Sequence, residues 1–92
     1  MDIDDLLDEL ARIIDENDNG KWYLETRIAA GGVPELLGNR EGLLVLISHL
    51  VGLYRSPSDK AHMHYDEASN LDHCDVELIL GRVSAPWDKD SD

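Results

Sequence analysis

Residues 42 to 54 read GLLVLISHLVGLY, thirteen positions without one Asp, Glu, Lys or Arg in a chain where those four types make up 30%. Leu43, Leu46, Ile47, Leu50, Val51 and Tyr54 fall at the three- and four-residue steps of a helix, and Leu44 and Leu53 widen the stripe. The run is too short for a bilayer, which needs about 20 apolar residues. A helix apolar on most sides has to be covered on most sides, so the spacing predicts a central core helix over about 40–55. Asn39 opens it as N-cap, and Arg55-Ser56-Pro57-Ser58 closes it. Gly42 and Gly52 each cost about 1 kcal/mol of helix propensity and mark expected close packing against a sheet.

The remaining segments supply that cover. Ile3, Leu6, Leu7, Leu10, Ile13 and Ile14 give a first amphipathic helix, capped by Asp2 and ended by the turn Asn17-Asp18-Asn19-Gly20. From Lys21 the period drops to two. Trp22, Leu24, Thr26 and Ile28 share one side, and Tyr23, Glu25 and Arg27 the other, as in a strand half in water. Gly31-Gly32 turns the chain into a partner strand, VPELLG, with Pro34 at its start or edge because proline has no backbone donor. Two more strands follow at about 61–67 and 75–83, joined by a polar loop over 68–73. The expected fold is α+β: two helices packed on one face of a small antiparallel sheet, in the order helix-strand-strand-helix-strand-strand. One domain covers 1–83, and a polar acidic tail covers 84–92, its beginning pinned by Trp87.

Twenty acidic residues against eight basic ones give a net charge of −12. That field repels phosphate backbones and anionic lipid, so neither nucleic acid nor membrane is an expected partner. It draws in cationic partners and raises their association rate; equally, it keeps a cytosolic protein soluble. The charges Asp4, Asp5, Asp8, Glu9, Asp15 and Glu16 on the first helix read as a solvated face or as a docking surface. A single cysteine forms no internal disulfide, and the start MDIDDLLDEL lacks the basic region of a secretory signal, so a cytoplasmic location is expected.

The stretch KAHMHYDEASNLDHCD, residues 60 to 75, gathers the residue types of a metal or catalytic site. On a strand, His62, His64 and Asp66 share a face at steps of about 6.6–7 Å, which leaves a small metal-binding protein as one alternative. No CxxC or HExxH pattern accompanies them, and one cysteine is few for structural zinc. His73 and Cys74 are adjacent, so on a strand they point to opposite faces and the imidazole is badly placed to activate the thiol. Ser48 and His49 fail likewise. No catalytic residue, metal ligand or cofactor is therefore assigned. The stretch reads as an exposed strand and loop.

In order and spacing, LLGNREGLLVLISHLVGL, HMHYD and CDVELILGRV resemble a family of small bacterial immunity proteins from polymorphic toxin systems, identified as immunity protein 32. The resemblance rests on Gly38-Asn39 before the leucine-rich helix, on His62-Met63-His64, and on Glu77-Leu78, and spans roughly Trp22 to Val83. It implies a non-enzymatic protein that binds and neutralises a cognate toxin domain, in contact-dependent growth inhibition or type VI-type systems. Many such toxins are nucleases with basic clefts, which an acidic protein can cover; a monomer is expected in that complex. The first candidate toxin-binding surface is the wet sheet face, with Tyr23, Glu25, Arg27, His62, His64, Asp66 and Glu77; the acidic first helix, together with Glu35 and the acidic tail, is the second. An acidic adaptor or nucleic-acid mimic bound to another basic protein is a further alternative.

Overall fold

The computed structural model describes residues 1–87. Helix α1 spans Ile3–Glu16, with Asp2 Oδ1 accepting the Asp5 amide at 2.9 Å. Two Asx turns, Asp18 to Gly20 and Asn19 to Lys21, carry the chain out of it. Strands β1 (Leu24–Ile28) and β2 (Pro34–Gly38) form an antiparallel hairpin, with Leu24 opposite Gly38 and Ile28 opposite Pro34. Gly31 and Gly32 take the turn at φ +84° and +80°, a region that costs other residues strain. Helix α2 follows at once, over Arg40–Arg55.

The last third of the chain differs from the expected hairpin. Strands β3 (His62–Tyr65) and β5 (Leu78–Gly81) do pair antiparallel, but alone, as a separate two-stranded sheet. Between them a two-residue strand β4 (His73–Cys74) runs parallel to β1 and completes a three-stranded sheet in the order β2-β1-β4. The class is α+β and the expected elements come in the expected order, with β4 as an additional strand between the last two, and the strands form two small sheets, one of them mixed. The 68–73 segment is not a free polar loop. Leu71 is buried in the core, and Asp72 clamps β1, its amide donating to Leu24 O at 2.8 Å and its carboxylate accepting the Leu24 amide at 3.0 Å. Backbone pairing outcompetes polarity here.

The core lies between the sheets and α2. Leu24, Tyr65 and Leu71 are fully or nearly buried, with Trp22, Leu36, Leu46, Met63, Cys74, Leu78 and Leu80 around them. Thr26 is buried too, its hydroxyl donating to Val76 O at 2.6 Å. Ile28, expected inside, is half exposed at the turn end of the hairpin. Trp87 does not pin the tail: it is 74% exposed, and Ser84 instead hydrogen-bonds Asp59 at 2.7 Å. Residues 88–92 of the expected tail lie outside the described residues.

The largest departure concerns α2. It is not enveloped: its inner side is Gly42, Val45, Leu46, His49 and Leu53, while Leu43, Ile47, Leu50 and Tyr54 stand 38 to 57% exposed. Gly42 fixes that rotation, because a Cβ there would collide with the carbonyl of Tyr23. Gly52 has open space around it and marks no packing contact. Helix α1 lies beside α2 and antiparallel to it. Asp8 pairs with Arg55 at one end, and Ile14 adjoins Leu44, Val45 and Ser48 at the other. The α1 cover is partial, leaving Ile3, Leu6 and Ile13 exposed. No helix among the described residues is long and apolar enough to cross a membrane.

Candidate functional site

The first candidate surface divides between the two sheets. Tyr23, Glu25 and Arg27 stand on the outer face of β1. There the Tyr23 hydroxyl donates to Glu25 Oε2 at 3.3 Å, and Arg27 Nε reaches Glu25 Oε1 at 3.2 Å. Partial burial, then the Glu25 charge, push the Tyr23 phenol above its usual range. Across the parallel pairing, His73 faces Glu25 in register and holds Asp75 Oδ1 at 2.8 Å. Within the group, the Glu25 charge is balanced by Arg27.

His62 and His64 belong to the other sheet. Their rings meet edge-on with centroids 5.1 Å apart, and His64 sits opposite Ile79 over a shallow depression flanked by Asp66 and Glu77. Asp66 is committed to a turn, its Oδ1 accepting the Ala68 amide at 2.9 Å while Asn70 Nδ2 donates to His64 O at 2.7 Å. Among the described residues no group of three His, Cys, Asp or Glu stands close enough to hold a metal ion. The His62-His64-Asp66 alternative therefore lacks the geometry it needs. Cys74 turns toward the core and His73 to solvent, as adjacent strand residues should. Ser48 and His49 also part company: Ser48 donates to Val45 O at 2.6 Å, and His49 Nδ1 meets the Tyr65 hydroxyl at 2.7 Å.

The acidic face of α1 is more open, though Arg12 tempers it. That guanidinium bonds both Glu16 oxygens at 2.8 Å and also pairs with Glu9, holding the Glu9 carboxyl below its usual range. Asp8 is bound to Arg55. Asp4 and Asp5 complement the positive end of the helix dipole, and Asp15 has no side-chain partner among the described residues.

Asp15 opens onto a feature that periodicity gave no sign of. A cleft of about 240 Å³ lies where the end of α1, the start of α2 and Trp22 converge. Ile14, Trp22, Leu44 and Val45 supply apolar walls; Asp15, Asp18 and Glu41 bring carboxylates. Asp18 is spent on the Gly20 amide, whereas Asp15 and Glu41 are unpaired among the described residues. Apolar walls beside free carboxylates suit the stem and head of a lysine or arginine, with the indole offering a cation–π face. Asp18 follows Asp15 by three residues, its amide bonding the Asp15 carbonyl, whereas Glu41 sits in the first turn of α2, so only the tertiary fold joins it to the other two.

No family model, curated protein or solved structure matches the chain. Its functional reading therefore rests on its own residues: an anionic body, a carboxylate-lined cleft and a wide margin of uncovered apolar side chains.

Proposed function

We propose that this chain is an immunity protein: it binds and neutralises a cognate, cationic toxin domain in the cytoplasm, without chemistry of its own. The observation that carries the reading is the cleft at the α1–α2 junction, whose Asp15 and Glu41 carboxylates lack partners among the described residues of a molecule of net charge −12. The order of the Gly-Asn helix start, the His-x-His strand and the Glu-Leu strand supports it as well. A basic nuclease cleft is the expected counterpart. Lysine and arginine side chains that normally hold phosphate would meet the acidic face of α1 and enter the cleft. Charge then sets capture rate and specificity, and Trp22 with its apolar neighbours slows release.

The test is co-expression with the toxin C-terminal domain encoded beside this chain. Rescue of growth is expected, with the pair co-purifying as a complex. Toxicity that persists while the chain is folded and abundant ends the proposal. Mutating Asp15 and Glu41 together to Asn and Gln should slow association and flatten its dependence on salt.

A further inference from the structure

We propose that Leu43, Ile47, Leu50 and Tyr54 of α2 form a twofold seam with a second copy of this chain. These residues are separated by steps of four, three and four, so the stripe reads the same in both directions along the helix. Two copies related by a twofold axis between Ile47 and Leu50 bring each Leu43 against the other copy's Tyr54, and each Ile47 against the other copy's Leu50. That is the isologous layer pattern of an antiparallel helix pair, with alternating three- and four-residue knobs along a seam about 16 Å long.

Three observations favour a copy of the chain over other occupants. All four side chains are 38 to 57% exposed on a side of α2 turned away from α1, with Leu43 lying against Gly38 of β2 at one end, and half-exposed Leu44 borders them. The seam is also the least anionic part of the molecule. Helix α2 carries Arg40, Arg55 and Glu41, whereas α1 carries six carboxylates and one arginine. Helix α1 docks roughly a third of a turn around α2 from the stripe, so the acidic helices of a pair stay on its flanks. Their repulsion is screened over about 8 Å at physiological salt. The third observation is area. The chain exposes 6717 Å², against about 5,400 Å² for a compact monomer of 10.3 kDa. Part of that excess lies on the stripe and part at remote side chains such as Met1, Val83 and Trp87, so the seam is an interface smaller than the ~800 Å² per partner of a standard one. The monomer expected from sequence is that of the toxin complex; the seam pairs copies free of toxin and leaves the cleft open.

Sedimentation equilibrium of the untagged full chain decides the matter, with no toxin present and so whatever the fate of the immunity reading. The expected mass is twice 10.3 kDa at ~200 µM, with the dimer strengthened as sodium chloride rises, because salt screens two like-charged bodies. Ile47→Glu and Leu50→Glu should each raise the dimer Kd at least ~100-fold while leaving the far-ultraviolet spectrum intact, since each pair would bury two unpaired carboxylates. Leu6→Glu on α1 should leave it unchanged. A single-chain mass at ~200 µM in ~0.5 M salt overturns the proposal, as does a dimer that survives both seam substitutions. A monomer in which Ile47→Glu abolishes toxin neutralisation would assign the stripe to the toxin instead, and also overturns it.

Discussion

Among single residues, two glycines of one helix make opposite contributions. Gly42 brings α2 against the Tyr23 carbonyl, so Gly42→Ala should cost about 1–3 kcal/mol through overpacking. Gly52 has nothing within 4 Å, and Gly52→Ala should stabilise by up to about 1 kcal/mol through helix propensity alone. Urea unfolding midpoints of the two variants check both signs. His49 gives a pH prediction. Its burial beneath α2, against the Tyr65 hydroxyl, depresses its pKa below the ordinary value of 6.5. The unfolded chain then binds the proton more readily than the folded one. The stability contribution is complete above about pH 6.5 and is lost as pH falls toward the folded value. Wild type should weaken between pH 7.5 and 5.5 by more than His49→Gln does, as read by denaturant titration at each pH. The sequence carried the caps Asp2 and Asn39, the edge proline Pro34 and the close approach at Gly42, because each is a local backbone requirement. His49 facing inward was not legible, since polarity alone does not say which side of an apolar helix is covered.

Elements repeat that lesson at greater length. Periodicity placed α1, α2 and the first hairpin to within a few residues. It failed on the rotation of α2, where apolar residues on nearly every side give the helix no preferred face until Gly42 docks. Strand β4 was missed because two residues carry no period; its single clue was Leu71, one apolar side chain in a polar segment. Asn39 joins these elements. Its Oδ1 accepts the amides of Gly42 at 2.7 Å and Tyr23 at 2.9 Å, and its Nδ2 donates to Lys21 O at 2.9 Å. One side chain thus caps α2 and fixes the start of β1. Asn39→Ala should cost about 2–3 kcal/mol, a cap plus further hydrogen bonds. Asn39→Asp keeps the acceptor and loses the donor, so its unfolding midpoint should fall between those of wild type and Asn39→Ala.

The whole molecule is less compact than its class suggests. Its radius of gyration is 15.3 Å, where a packed domain of this length would have about 12 Å. Periodicity announced an α+β chain, and composition a modest core and heavy negative charge; all three are present. What they left out was the division of strands between two sheets, which separates Tyr23, Glu25 and Arg27 from His62, His64, Asp66 and Glu77. Pairing partners far apart in the chain decide that division, and no local pattern records them. With net charge −12 the folded state repels itself, so the melting temperature should rise as sodium chloride increases from ~0.05 to ~0.5 M. Calorimetry over that range checks it; a flat response would show that the charges are too far apart to matter.

The buried bond from Thr26 to Val76 joins residues 50 positions apart, and the parallel pairing of β1 with β4 has nearly the same reach. During synthesis, at roughly 5–20 residues per second, β1 waits about 3–10 s for its second neighbour. Throughout that delay its unsatisfied edge is open to strands of other nascent chains. Crowded polysomes are accordingly where this protein is most exposed to misassembly.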